Sequence, residues 1–297
     1  MEFDVKSYIA RNRAEIDSAL DNLLPAPDSP STRLAEAVRY SALAGGKRLR
    51  PILMIAACEA VGGDRRKALP IACALEMIHT YSLIHDDLPS MDDDPLRRGL
   101  PTSHVVFGEA TAILAGDALL TDAFRIIVGE GKAAGIDSAV ICEIIEDISA
   151  AAGSRGMIEG QAIDLALEGR RAASLSEIEN MHSLKTGAMI RTAVTTGARI
   201  GGASAEQISA LASYAGALGL AFQIRDDLLD LDGASDTGKA KGNDARRGKS
   251  TYPELAGVEE SRRKITALIR DAVSHLSGFD ERAEPLRQIA VYLGGEG

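Results

Sequence analysis

Apolar residues fill nearly every position from Leu69 to Ile84, leaving no polar face for solvent, and this pattern predicts a helix buried on all sides. Ile208 to Phe222 has the same character. Its small residues, Ala210, Ala212, Ala215, Gly216, Ala217 and Gly219, would let neighbouring helices approach closely. The alternation of apolar and polar positions that marks strands is missing, and no Asn-Gly hairpin turn occurs. Helix starts are legible instead: Ser174 to Glu177 and Ser204 to Gln207 both have the form of a capping box. Gly62-Gly63, Gly201-Gly202 and Gly233 follow periodic segments and read as stops. No proline falls between Thr102 and Tyr252, which permits long helices. Asp232 to Ser250 is polar and contains glycine, and reads as a loop. The pattern predicts a single all-α domain over residues 1–297, a bundle with central helices wrapped by others, with neither a linker nor a solenoid repeat.

Composition narrows the function. Thirty-three Lys and Arg against 43 Asp and Glu give a net charge of −10, which argues against nucleic acid as a partner. Aromatics are 4% and Trp is absent, so the core must be aliphatic. Cys58, Cys73 and Cys142 lie far apart without CxxC spacing and read as small core residues; a reducing, cytoplasmic setting fits. The start, Met1-Glu2-Phe3-Asp4, has neither the basic nor the apolar segment of a secretory signal. No apolar run reaches the ~18 residues that span a bilayer, so no membrane anchor is expected.

Two acidic motifs stand out. His85-Asp86-Asp87-Leu88-Pro89-Ser90-Met91-Asp92-Asp93-Asp94 ends the first buried helix, and Gln223-Ile224-Arg225-Asp226-Asp227-Leu228-Leu229-Asp230 ends the second. Carboxylates at a helix C-terminus oppose the macrodipole, and crowded carboxylates repel one another. Finding this costly arrangement twice predicts a compensating cation. Asp226 and Asp230 are i,i+4 and share a face. Asp86 and Asp92 cannot share a face of a regular helix, but Pro89 forces a turn that could return Asp92 toward Asp86. Oxygen donors without His or Cys at ligand spacing select a hard cation, with Mg²⁺ the natural candidate. Mg²⁺ held by few carboxylates takes phosphate oxygens as further ligands. Cationic groups are available for such an anion: Gly45-Gly46-Lys47-Arg48-Leu49-Arg50-Pro51, Arg97-Arg98, Lys185-Thr186, Lys239, Lys241 and Lys249. No GxxxxGK[ST] loop is present.

With these motifs the chain resembles the trans-isoprenyl diphosphate synthases, and within them the bacterial farnesyl diphosphate synthase group. The likeness runs in order through Gly45 to Pro51, Glu76 to Asp92 (a DDxxxxD motif), Arg97-Arg98-Gly99, Pro101-Thr102, Gly116 to Leu119, Gly156-Met157, Gly160-Gln161, Asp164, Lys185-Thr186, Phe222 to Asp230, Gly242-Asn243-Asp244 and Lys249 to Pro253. The resemblance implies an all-α fold around a central cavity, a homodimer, and head-to-tail condensation of isopentenyl diphosphate with dimethylallyl and geranyl diphosphates. It implies Mg²⁺ at Asp86, Asp87, Asp92 and Asp226, three ions with substrate bound, with Asp227 and Asp230 in support. Lys47, Arg50, His79 and Arg98 match the isopentenyl diphosphate site. Arg97, Lys185, Thr186, Gln223, Lys239 and Lys249 match the allylic site. His85 is expected to be a satisfied core group.

An aromatic at Tyr81, five residues before Asp86, together with the Pro89-Ser90 insertion, goes with a C15 product in this family. Ser82 is the small neighbour closer to the face of Asp86. Periodicity alone sets Tyr81 ~140° from Asp86 and does not aim it at the pocket. The alternatives are a C20 synthase, a terpene cyclase and a non-catalytic partner subunit. A cyclase would replace aspartates of the second motif, and a non-catalytic subunit would lose them. One departure from the family is the end of the chain, Val291 to Gly297, which has no Lys or Arg where many relatives carry a basic tail.

Overall fold

The computed structural model describes residues 3–26, 32–167, 174–231 and 251–295. Almost all of them are helical. Helices α1 (Val5–Leu23), α2 (Thr32–Ala42), α3 (Leu49–Ala60) and α4 (Arg65–Asp86) come first. Helices α5 (Ser103–Phe107), α6 (Glu109–Ala133), α7 (Ser138–Ala152) and α8 (Met157–Leu167) follow. Helix α9 (Leu175–His182) runs through one π-helical turn, Ser183–Gly187, into α10 (Ala188–Ile200). The rest are α11 (Ala205–Leu231), α12 (Tyr252–Ala256), α13 (Val258–Ser274), a 3₁₀ turn (Glu281–Ala283) and α14 (Glu284–Gly294).

The caps expected from sequence form. Ser174 and Glu177 make the reciprocal capping box of α9, and Ser204 and Gln207 exchange the same pair of bonds ahead of α11. Gly62 and Gly202 take positive φ just past α3 and α10; Gly233 and the rest of 232–250 lie outside the described residues.

Helix α4 is the centre of the bundle, packed by α3, α6 and α10. Its buried positions fall on every side, as the sequence predicts. It begins a turn earlier than the apolar run, at an Asp64 cap whose carboxylate accepts from the Arg66 N–H, and it carries Pro70 inside at the loss of one backbone bond. Helix α3 packs on α10 and α10 on α11, so the two acidic helices are joined through two buried ones. Helix α11 departs from expectation. Ser209, Ser213 and Gly216 form an exposed stripe, while Leu211, Tyr214, Ala215 and Leu218 face the core.

The last helix is tied to α11 at two points. The Tyr214 hydroxyl donates to Leu286 O at 2.7 Å. Arg225 donates to Leu293 O at 2.7 Å and Tyr292 O at 3.2 Å, satisfying carbonyls at the end of α14. The core is aliphatic, with Ile52, Leu53, Ile55, Ile71, Leu75 and Ile78 inaccessible to solvent or nearly so. Cys58 and Cys73 belong to it; Cys142 does not, being exposed on α7, where it lies one residue past the buried Ile141 and two before Ile144 and so turns away from their face. No described helix is long and apolar enough to cross a membrane.

Two short strands, which the sequence pattern did not reveal, pair antiparallel: β1 (Leu96–Arg97) and β2 (Leu100–Pro101). Their turn is Arg98-Gly99, with φ of 54° and 77°. Left-handed conformation at both positions is what a tight two-residue hairpin requires. It costs about 1–2 kcal/mol at Arg98, which has a Cβ.

Candidate active site at the ends of two acidic helices

The first motif folds back on itself. Helix α4 ends at Asp86, and beyond Pro89 the Asp92 N–H donates to Asp86 O at 2.7 Å and the Asp94 N–H to Asp87 O at 3.2 Å. Asp92 is therefore brought to Asp86, as the proline predicted. Burial pushes the Asp86 carboxyl up to about 6, with Asp92 and Asp87 adding to it against the pull of Lys185 and Arg97. Asp87 points elsewhere. It is buried, and Arg97 grips it with Nε 2.7 Å from Oδ2 and Nη2 2.6 Å from Oδ1. The Asp87 carboxylate, expected as a metal ligand, is engaged here by Arg97.

The hairpin turn sends the two neighbouring arginines different ways. Arg97 returns to Asp87, and Arg98 reaches Gly45, to whose carbonyl its Nη1 donates. Gly46 has φ of 126°, a conformation that favours glycine, and it lies directly beneath the Arg98 guanidinium, 2.6 Å from where a Cβ would stand. Arg48, one of the three positive charges of this turn, is structural. It is fully buried in a left-handed conformation. Its Nε meets Asp17 at 2.8 Å, its Nη1 meets Glu76 at 2.9 Å, and its Nη2 donates to Ala42 O at 2.7 Å. Lys47 and Arg50 on either side are thereby fixed.

Arg50, His79 and Arg98 gather near Glu76. Burial lowers the pKa of Arg50 and of Arg98. His79 is held well below the ordinary histidine value, first by burial and then by Arg50 and Arg98. Arg50 Nε and His79 Nδ1 are both buried and find no partner among the described residues. A neutral imidazole beside desolvated guanidinium groups, with donors unspent, is a ready acceptor of an anion.

The second motif lies at the end of α11. Asp226 is raised by burial, then by Asp227 and Asp230, against Lys47. Lys47 also stands 5.7 Å from the centroid of the Phe222 ring, so the glycine turn and the second motif face each other. Gln223 precedes Asp226 by three residues and is partly buried on α11. The π-helical turn joins the two motifs: its Lys185 acts on Asp86, and His182, just before it, bonds Asp227. Lys185 Nζ is 2.7 Å from Asp164 Oδ2. A Cβ on Gly160 would come within 2.2 Å of Lys185 N, so α8 lies directly against this turn. Thr186 is buried beside it. Lys239, Lys241, Lys249 and Gly242 to Asp244 lie outside the described residues.

Tyr81 is 6% exposed, and its hydroxyl has no partner among the described residues. Its ring meets His85 edge-on with centroids 5.7 Å apart. The Ser82 hydroxyl donates to His79 O at 2.9 Å and is held to its own helix. His85 is half-buried rather than in the core; its Nε2 lies 3.1 Å from Ile113 O on α6.

The acidic groups suit a hard cation chemically, because they offer only oxygens and are destabilised by burial and by each other without one. Among the described residues no three acidic, His or Cys groups converge on one point. A cation there would need ligands from outside the protein, as phosphate oxygens would supply. Sequence reasoning counted Arg48 among the cations for an anion, where the structure makes it a buried strut, and gave no individual role to Glu76, Asp164 or His182. Only Asp164 had a local signal, its three-residue spacing from Gln161.

The comparisons agree with this geometry. The family model described as polyprenyl synthetase matches residues 31–287. A protein of Geobacillus stearothermophilus named farnesyl diphosphate synthase is 47% identical over 280 residues, 94% of this chain and 93% of its own. A protein of Catharanthus roseus named chloroplastic geranylgeranyl pyrophosphate synthase is 45% identical over 293 residues, 98% of this chain and 81% of its own. The apo crystal structure of an FPP/GFPP synthase from Zymomonas mobilis superposes with a TM-score of 0.87 at 42% identity, covering 98% of each chain. With the all-α bundle, the paired acidic helix ends and a match across most of its length, this chain belongs to the polyprenyl synthetase family.

Proposed function

We propose that the protein condenses isopentenyl diphosphate head to tail with dimethylallyl and then geranyl diphosphate, releasing a C15 diphosphate. The observation that carries this reading is the juxtaposition of two destabilised acidic helix ends with a desolvated Arg and His cluster, joined by the Lys185 turn. One cluster attracts a bridging cation and the other an anion, as two diphosphate substrates require.

Asp86, Asp92, Asp226 and Asp230 would hold Mg²⁺, which supplies neutralisation of the departing diphosphate. Arg97 and Lys185, with Lys239 and Lys249, bind the allylic diphosphate, and Asp87 and Asp164 aim the first two. Lys47, Arg50, His79 and Arg98 bind the diphosphate of isopentenyl diphosphate, which is held but not cleaved. The aliphatic walls exclude water from the allylic cation. The Gln223 side chain, the Thr186 hydroxyl and the Lys185 carbonyl offer it oxygens that stabilise without attacking. The isopentenyl double bond attacks and a proton leaves to the released diphosphate, so no side-chain nucleophile is needed.

Tyr81 supports the C15 limit. A buried ring whose hydroxyl bonds nothing nearby is poorly explained as a satisfied core tyrosine and well explained as a floor. Relatives bear both farnesyl and geranylgeranyl names. We further propose that 1–297 acts as one domain, in the cytoplasm, as a homodimer. Six of the eleven exposed large apolar side chains of the described residues, Leu96, Leu100, Val105, Val106, Ile113 and Leu114, lie within residues 96–114 and supply a face for a second copy.

The test is to incubate the purified protein with Mg²⁺, isopentenyl diphosphate and each allylic diphosphate in turn, then size the products. C15 as the main product from dimethylallyl and geranyl diphosphates is expected. A main C20 product would overturn the length assignment.

A further inference from the structure

The adjacent aspartates of the second motif face different partners. They lie ~100° apart around α11. Asp226 shares its face with Asp230 and feels Lys47. Asp227 is turned toward α9 and α12, and its side chain is 13% exposed. Its Oδ2 accepts the Tyr252 backbone N–H at 2.9 Å and lies 3.2 Å from His182 Nε2. With a carboxylate as acceptor, that nitrogen carries the proton. His182 is buried and is the last residue of α9 before the π-helical turn that presents Lys185 and Thr186. Tyr252 is the first residue of α12, three past Lys249. Its hydroxyl lies 3.3 Å from Glu179 on α9, which Lys264 of α13 also reaches at 3.1 Å.

We propose that Asp227 is a positioning residue rather than a metal ligand. One carboxylate oxygen latches the turn bearing Lys185 and Thr186, and the start of α12 at Tyr252, to the helix that carries Asp226. This deepens the proposed function and rests on that reading for its kinetic part only. The other end of the turn is held by Asp164 on Lys185, so the latch fixes the end that Asp164 does not. The Tyr252 N–H, in the first turn of its helix, has no carbonyl of α12 to bond, so Asp227 also caps that helix. Loss of the latch displaces cations of the allylic site and leaves the Asp226–Asp230 face intact.

The variants are Asp227→Ala, which removes the acceptor; Asp227→Asn, which keeps an acceptor oxygen; and His182→Leu, which removes the donor and leaves every carboxylate of the motif in place. Three quantities are read: KM for each substrate, the Mg²⁺ concentration giving half-maximal rate, and amide exchange at Tyr252. Asp227→Ala and His182→Leu should each raise the allylic KM about tenfold, with isopentenyl diphosphate KM and the Mg²⁺ midpoint within about twofold of wild type. Asp227→Asn should rescue most of that loss. Tyr252 amide exchange should accelerate about tenfold in Asp227→Ala. The exchange measurement needs no catalysis, so it decides the latch even if the wild-type protein fails to turn over these substrates. A Mg²⁺ midpoint shifted tenfold or more in Asp227→Asn, wild-type kinetics in His182→Leu, or unchanged Tyr252 exchange in Asp227→Ala would overturn the proposal. If Asp227→Ala does not fold, Asp227→Asn and His182→Leu carry the decision.

Discussion

Arg48→Met replaces a buried cation with an apolar chain of similar length and leaves Glu76, whose side chain is 3% exposed, buried without its partner. At 2.9 Å the Arg48–Glu76 attraction is ~6 kcal/mol gross for an effective dielectric near 20. Desolvation of both groups offsets much of it, so the pair adds little net stability, but breaking it from one side should cost about 3–5 kcal/mol. That is a large share of the ~5–15 kcal/mol that holds a domain together. The Asp17 contact and the Ala42 carbonyl lose their donors as well. Urea unfolding with an unchanged slope measures the cost directly. The double variant Arg48→Met/Glu76→Met should regain most of the stability, because no charge is stranded. It should still show a raised KM for isopentenyl diphosphate, since Arg48 fixes the turn that carries Lys47 and Arg50. A loss below about 1 kcal/mol in Arg48→Met, or a double variant no more stable than the single, would refute the reasoning.

Asp86→Asn should lower kcat by at least about a hundredfold yet leave the metal-free protein as stable as wild type or more so at pH 7, read by thermal melting. The sign follows from a carboxyl raised from 3.8 to about 6: the folded state's penalty is absent below the lower value and full above the higher one. Lys47→Ala and Arg50→Ala should chiefly raise KM for isopentenyl diphosphate and Arg97→Ala that for the allylic substrate; equal effects on both substrates would end the division of sites. Tyr81→Ala should shift product toward C20 or longer without loss of the first condensation; an unchanged distribution in an active variant removes Tyr81 as the floor. His79, lowered well below its ordinary 6.5, binds a proton in the unfolded chain before the folded one, so its contribution is full above that value and falls as pH drops, by up to about 1.4 kcal/mol per pH unit. Melting temperatures between pH 5 and 7.5 should show that acid limb, and His79→Gln should flatten it.

Much of this site was legible because helix ends leave local marks. The buried run of α4, Pro89 and the i,i+4 pair in α11 were enough to place the acidic groups and to predict the return of Asp92 to Asp86. The long-range pairings were not legible. Arg48 with Glu76, Lys185 with Asp164 and His182 with Asp227 join residues 21 to 45 positions apart, and nothing local to either member marks its partner. The hairpin escaped notice because its turn is Arg98-Gly99, with an arginine where a residue tolerant of positive φ is usual. The exposed stripe of α11 was hidden for a different reason: Ala, Ser and Gly are small enough to read as packing residues on either face.

The central claim is that the two acidic helix ends act together, with a divalent cation, on an allylic diphosphate. The most direct measurement follows labelled isopentenyl diphosphate and released inorganic diphosphate with geranyl diphosphate as partner, before and after exhaustive chelation. Metal-dependent consumption of isopentenyl diphosphate, matched one for one by released diphosphate and lost in both Asp86→Ala and Asp226→Ala variants that fold normally, is the predicted result. Full turnover after chelation, or in either folded variant, would contradict it.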